Sequence, residues 1–180
     1  MRSAEGYAFA MDVFLAVASK REVRDYASQA LPDDIQRRIL EAGRVAGSSR
    51  NTQTRRFIVV DDPAKREQLA DLVYASGNVR GAALVVAIVA WGRGPTAFDV
   101  GRAAQNMILV AWEDGVGSCP NGVADADRAA TLLELDGDER AVIVITFGYP
   151  ARPHDPQRRS AEEWIARADR KPFDEIVRRT

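Results

Sequence analysis

The chain has 180 residues, 46% of them hydrophobic and 28% charged, with 25 basic against 26 acidic side chains and a formal net charge of -1. That balance excludes a disordered chain and argues against a general nucleic-acid binder, and the length suits one domain burying about two-thirds of its unfolded surface. A lone Cys119 and a lone His154 exclude a disulfide framework and a Cys/His zinc site, and no Asp/Glu pair has ligand spacing, so no metal is expected.

Residues 11–19 predict a short helix with Val13, Phe14 and Val17 at helical spacing, running into the charged stretch Lys20-Arg21-Glu22-Val23-Arg24-Asp25-Tyr26. Leu31-Pro32-Asp33-Asp34 reads as a helix start, and Ile35, Ile39, Ala42 and Ala46 continue one apolar face. The polar loop Gly47-Ser48-Ser49-Arg50-Asn51-Thr52-Gln53-Thr54 contains no acid and leads into a strand at residues 57–60. Asp61-Asp62-Pro63 opens a helix carrying Leu69, Leu72 and Val73, which Ser76-Gly77-Asn78 is expected to end.

Residues 84–90 form a continuous apolar run, as for a strand covered on both faces. Pro95 precedes a long helix to about Glu113, whose stripe of Val100, Ala104, Met107, Ile108 and Ala111 predicts burial by the core or by a second subunit. Residues 115–122 read as a short strand and turn, 125–135 as a helix and 141–147 as the last clear strand. Residues 151–180, rich in Arg and Pro with Trp164, Phe173, Ile176 and Val177 as anchors, read as an arm packing on its own body or on a partner. Cys119 is expected as a buried filler, and His154 as a solvated residue of the polar tail.

The unpaired thiol fits a reducing compartment, no secretory signal is apparent, and the longest apolar run, residues 82–91, is far below the ~20 residues a membrane crossing needs. A cytoplasmic protein with no membrane and no nucleic-acid partner is expected. Gly115 and Gly117 begin like a dinucleotide fingerprint, but the third glycine is missing and a helix precedes them where a strand should. Two cation- or donor-rich loops, residues 20–24 and 47–56, remain with the Arg170-Lys171 pair as places for chemistry.

In order, these segments resemble the nitroreductase superfamily of FMN-dependent oxidoreductases. Residues 20–26 are similar to its R-R-S-V-R-x-F element, and residues 46–57 to its A-P-S-x-x-N-x-Q-P-W-x-F loop. Ala103-Ala104-Gln105-Asn106-Met107-Ile108-Leu109, followed by Gly115-Val116-Gly117-Ser118-Cys119, is similar to its central helix and following strand. Phe147-Gly148-Tyr149-Pro150 and residues 170–177 resemble its closing G-Y-P and R-x-P-L-x-E-V-V segments.

The resemblance implies an α+β fold with a central, mostly antiparallel sheet flanked by helices, in an obligate homodimer with C-terminal arm exchange. Residues 1–10 would be an extension, 11–150 the flavin-binding core and 151–180 the arm completing the same domain. It places Lys20, Arg21 and Arg170, with Lys171, at the FMN phosphate and ribityl end, Glu22 beside them, and Arg24 at the pyrimidine edge. There a cation stabilises charge developing on the reduced ring. Gly47, Ser48, Ser49 and Asn51 would reach the flavin from the other subunit, Pro120, Asn121 and Gly122 would pass one ring face and the N5 edge, and Asn78 would contact the pyrimidine edge.

The implied activity is ping-pong: NADH or NADPH reduces the flavin, and a nitroaromatic or quinone-like acceptor is then reduced, with the flavin carrying the chemistry and no protein group as acid or base. Relatives with other reactions, such as dehalogenation or flavin breakdown, a deazaflavin cofactor, and a flavin-binding module without turnover are the alternatives. Glu22 stands where the pattern has a serine. Thr54 and Arg55 replace Pro-Trp, which makes Arg55 a candidate substrate-pocket cation for an anionic acceptor.

Overall fold

The computed structural model describes residues 11–180, so the extension expected at residues 1–10 lies outside the described residues. The elements run α1 (Val13–Ser19), α2 (Asp33–Arg44), β1 (Arg55–Val59), α3 (Pro63–Ala70), α4 (Ser76–Gly81), β2 (Leu84–Ala90), α5 (Thr96–Glu113), β3 (Gly117–Asn121), α6 (Ala126–Leu132), β4 (Arg140–Gly148), α7 (Ala161–Ala166) and α8 (Phe173–Ile176). Residues 21–154 form one compact unit, and residues 11–20 group with residues 155–180 in a second.

The larger unit is built on a four-stranded sheet in the order β1-β2-β4-β3, antiparallel at every pairing. Alternating side chains point to opposite faces of a strand. Leu84, Val86, Ile88 and Ala90 of β2, with Ile145 and Phe147 of β4, therefore join Ile39 of α2 and Met107 and Ile108 of α5 in one apolar layer. Val85 and Ala87, with Val144, join Leu69 of α3 and Val79 of α4 in the other. Every residue of β2 is buried, as its unbroken apolar run requires.

Local chemistry starts the helices. Asp62 accepts from the Lys65 amide at 2.8 Å with Pro63 in the first turn of α3, and Asp125 accepts from the Arg128 amide at 3.1 Å at the start of α6. Asp33 and Asp34 lie in the first turn of α2, where their charge opposes the helix dipole. Ser76-Gly77-Asn78 begins α4 instead of ending a helix: α3 stops at Ala70, and the buried Val79 and Asn78 anchor a second short helix where local composition reads as a breaker.

In the smaller unit, α1 packs on α7 and buries Ala16, Ala18 and Ser19. The stripe expected to pack is the other one: Val13, Phe14 and Val17 are 74%, 56% and 52% exposed. Helix α7 carries a capping box between Ser160 and Glu163, and its Trp164 is buried, with the indole N–H donating to the Pro156 carbonyl at 2.8 Å. Of the expected anchors, Trp164 is inside, whereas Phe173 and Ile176 are 70% and 64% exposed. No helix of the described residues is long and apolar enough to cross a membrane.

Gly117 has no room for a side chain, because a Cβ there would lie 2.6 Å from Cβ and Cγ2 of Val23, a stiff β-branched side chain. Gly117→Ala should lower stability by about 1–3 kcal/mol, seen as a lower urea midpoint at constant m value. Adding Val23→Ala should recover most of that loss, and a strictly additive double variant would show that the contact is not the cause.

Candidate functional site

Strand β3 lies at one edge of the sheet, where no strand of the sheet needs an amide from Pro120 on the outer side. Residues 21–26 run along that outer side. Glu22 bridges Ser118 in parallel, the Val23 amide donates to the Ser118 carbonyl at 3.0 Å, and the Ala27 amide donates to the Tyr149 carbonyl at 2.8 Å. The backbone thus holds Arg21, Glu22 and Arg24 beside β3, with Glu22 and Arg24 exposed.

Next to them is a cavity of about 350 Å³ whose lining includes Arg21, Arg24, Arg152, Trp112 and His154. Glu22 and Asp25 also line it, so three guanidinium groups face two carboxylates. His154 is half-buried, not a solvated tail residue, and its ring centroid lies 4.6 Å from that of Trp112. Arg152 and His154 were not legible as site residues, since only the β4 turn brings them back to residues 21–25.

On the inner side of β3 a buried polar network replaces apolar packing. Asn78 of α4 donates to Asn121 Oδ1 at 2.7 Å and to Cys119 Sγ at 3.4 Å. The Asn121 amide nitrogen donates to the carbonyls of Cys119 at 2.9 Å and Val144 at 3.3 Å, while Thr146 Oγ1 donates to the Cys119 carbonyl at 3.1 Å. The Tyr26 hydroxyl closes the chain 2.9 Å from Thr146 Oγ1.

Asn78 and Asn121 are only 5% and 2% exposed. Their side chains therefore hold β3 from within, and Asn78 does not present its amide outward as the family pattern implies. What Asn121 can offer to the outside is main chain. Pro120 is exposed, and Gly122 is half-buried against the ring of Tyr74.

The second cluster lies at the start of β1, the opposite edge strand. Residues 47–54 fold into a strained loop in which Arg50, Asn51 and Gln53 all have positive φ, at 52°, 56° and 54°. Each such non-glycine residue costs about 1–2 kcal/mol, so the loop must be held from outside. Asp99 accepts from the Ser49 amide at 3.0 Å, and Ser48 Oγ accepts from the Gln53 amide at 2.9 Å.

Arg55, buried at 9% exposure, donates to the carbonyls of Ala46 and Gly47. Its expected role as an outward substrate cation gives way to clamping the loop, because its fork is already occupied by main-chain oxygens. Burial pushes its pKa down, partly opposed by nearby Asp99. Gly47 leaves room for Arg102, whose Nη2 would lie 2.8 Å from a Cβ there.

The chain does not bring the two clusters together. The loop is tied to Asp99 near the start of α5 and the cavity includes Trp112 near its end. At about 1.5 Å per helical residue that interval is about 20 Å. Lys20, Arg170 and Lys171 belong to the smaller unit, where Arg170 and Lys171 are exposed.

A model of the nitroreductase family matches residues 17–98 and 90–149. The chain belongs to the nitroreductase family. It is 24% identical over 188 residues to NADH dehydrogenase of Thermus thermophilus, covering 83% of this chain and 92% of that one. Among solved structures it is similar to nitroreductase A of Vibrio parahaemolyticus, with a TM-score of 0.74, 25% identity, and coverage of 79% and 70% of the two chains. A Desulfovibrio desulfuricans protein in complex with FMN superposes with a TM-score of 0.78 at 29% identity, covering 94% and 97%. The α+β architecture with an antiparallel sheet is that of this nitroreductase-family fold.

The network makes two measurable demands on this nitroreductase-family chain. Thr146→Val removes the Oγ1 that lies 2.9 Å from the Tyr26 hydroxyl and accepts from the Asn121 amide nitrogen at 3.4 Å, and should cost about 1–3 kcal/mol of stability. Burial raises the Tyr26 pKa above the ordinary phenol value, outweighing the lowering hydrogen bond from Thr146. A raised pKa favours the neutral folded form, so this contribution is complete below about pH 10 and is lost as pH rises further, where the unfolded chain ionises first. Tyr26→Phe should flatten the alkaline fall in stability measured by urea melts above that pH, and an unchanged slope would remove Tyr26 as its source.

Proposed function

We propose that the protein is an FMN-dependent NAD(P)H oxidoreductase that works as a homodimer, with each flavin site built from the β3 region of one chain and the residue 47–51 loop of the other. The observation that carries this reading is the separation of the two clusters along α5. No single chain can present both to one cofactor through its own packed core. A two-fold axis crossing the middle of α5 would set the start of one helix against the end of its partner and bring one loop to the other cavity.

Gly101 supports that axis. It sits exposed inside an 18-residue helix, and a Cβ there would meet nothing within 4 Å. Glycine at such a position costs about 1 kcal/mol relative to alanine, and the chain's own packing gives no reason for it. Close approach of a second backbone does. Phe98, 66% exposed on the same helix, adds apolar area to such a contact.

Arm exchange fits a second surface. A groove of about 570 Å³ beside β1 is lined by Leu40, Phe57 and Val59 with Arg37 and Arg44, and α8 has its own apolar residues exposed. The arm of one copy laid on the groove of another would cover both.

The residues present fit FMN. Arg21 and Arg24, next to Arg152, offer planar donor forks to a phosphate and to the electron-rich pyrimidine edge. The family resemblance assigns Lys20, Arg170 and Lys171 to the phosphate end as well. Ser48, Ser49 and Asn51 bring hydroxyl and amide groups on a loop held in one shape by Asp99 and Arg55. The exposed Pro120, the Asn121 main chain and Gly122 are the parts of this segment that a flat ring could meet. When bound, FMN supplies two-electron transfer between a nicotinamide donor and an acceptor. The protein's part would be to bind and orient the cofactor and to stabilise the charge it develops.

The purified protein should be yellow with bound FMN and dimeric by light scattering. Arg24→Ala should weaken FMN binding about 10- to 100-fold, as for loss of a charged hydrogen bond. Gly101→Trp should yield a folded monomer that loses FMN in the same step. A colourless preparation that takes up no added FMN, or a Gly101→Trp monomer that keeps its flavin, would overturn the shared site.

A further inference from the structure

The segment 47–56 carries three arginines, and two of them are occupied. Arg55 holds the carbonyls of Ala46 and Gly47, while Arg56 pairs with Glu139 at 2.6 Å and lies 5.5 Å from the centre of the Trp91 ring. Arg50 is exposed, and among the described residues its guanidinium forms no ion pair. Its backbone nevertheless sits at a φ of 52°, which glycine or asparagine adopts at less cost. Nothing in the chain's own packing calls for an arginine there.

A second arginine lines the same cavity. Arg93 stands between Gly92 and Gly94, whose φ values of 77° and 120° suit glycine and let the chain turn from β2 towards α5. The turn is pinned: the Gly92 amide donates to Asp138 Oδ2 at 2.8 Å, and the Trp91 amide donates to the Thr54 carbonyl at 3.4 Å. Arg93 is also exposed and forms no ion pair among the described residues. Arg50 and Arg93 share a cavity of about 260 Å³ with Thr52, Thr54 and Thr96. Its carboxylate, Asp99, accepts from the Ser49 amide at 3.0 Å and is offset by the nearby Arg55. Thr96 Oγ1 accepts from Arg140 at 2.9 Å and keeps its own hydrogen to donate.

We propose that Arg50 and Arg93 form an oxyanion subsite, which takes the carboxylate of an acceptor or a phosphate of the nicotinamide donor, so that this chain favours anionic over neutral ligands. Planar guanidinium forks with a hydroxyl donor beside them match the oxygens of either group. The cavity is smaller than the ~300 Å³ at which pockets begin to hold a whole small ligand. It therefore suits one charged end of a larger molecule. The subsite lies within one chain, but its use by a ligand of the flavin rests on the shared site proposed above, in which the neighbouring Ser48, Ser49 and Asn51 reach the partner's cofactor. The outward cation expected of Arg55 is thus supplied by its loop neighbour and by the turn after β2.

The test uses the FMN-loaded dimer with Arg50→Gln and Arg93→Gln, and with Arg128→Gln as a control that removes the same charge from the exposed side of α6. Calorimetric titration of the oxidised protein, without nicotinamide and at fixed ionic strength, compares 4-nitrobenzoate with its neutral isostere 4-nitrobenzamide. The native protein should bind the carboxylate about tenfold tighter, as for one exposed charged hydrogen bond. Arg50→Gln and Arg93→Gln should each bring the two within twofold by weakening the carboxylate alone, and Arg128→Gln should change nothing. The ratio of kcat/KM for NADPH over NADH reports on the donor's phosphate in the same way. A fall in that ratio, where the native protein shows no carboxylate preference, assigns the subsite to the donor. Both ratios unaltered in Arg50→Gln and Arg93→Gln, or an equal change in Arg128→Gln, overturns the subsite and leaves the flavin reading intact. Failure of the native protein to bind FMN overturns the flavin reading instead. Inorganic phosphate titrated into that flavin-free protein should then still bind about tenfold more weakly in both variants, and equal binding overturns the subsite as well.

Discussion

A sheet ordered β1-β2-β4-β3 has two edges, and almost everything of functional interest in this protein sits on one or the other. β2 and β4 occupy the centre because they are the most continuously apolar strands and can be covered on both faces. That leaves β1 and β3, with their polar approaches, on the outside. The charged segment 21–26 attaches to β3, and the strained loop 47–54 enters β1. Once the core is closed by α2 and α5, these two regions cannot move toward each other. The constraint belongs to packing.

The two edges are held by different means. Loop 47–54 has unfavourable backbone angles and is kept in shape by a carboxylate and a guanidinium from neighbouring elements, Asp99 and Arg55. The strain therefore lies in the loop and the restraint in the core. β3 is held by an inward polar chain from Asn78 to Tyr26, which leaves its outer side free of side chains that need to move. Polar groups buried in this way rigidify only when all are satisfied, and here each link has a partner. Both devices leave a surface of fixed shape, which a ligand would meet without a further cost of ordering.

Much of this was legible in the sequence. The apolar run 84–90, the small-residue helix after Pro95 and the ordered motifs gave the sheet centre, α5 and the family, because periodicity and local composition are reliable where packing agrees with them. Helix α4 was missed, since Ser76-Gly77-Asn78 has the composition of a stop and only the burial of Val79 and Asn78 makes it a start. The side of α1 that packs was read from the larger residues, yet the small ones, Ala16 and Ala18, fit against α7. Cross-sheet relations could not be read at all. Asn78 with Asn121, Arg55 with the carbonyls of Ala46 and Gly47, and His154 with Trp112 depend on register and on turns that no local signal encodes.

The burial of β2 has a consequence for how the chain reaches this state. Its first partner, β1, precedes it, so one side can pair as soon as both have left the ribosome. Its second partner, β4, begins only at Arg140, after α5, β3 and α6 have been made. Until then Leu84–Ala90 is an apolar, uncharged strand with an open edge, the kind of segment that recruits other chains. The interval between β2 and β4 is thus the stage of synthesis at which this chain is most open to wrong pairing.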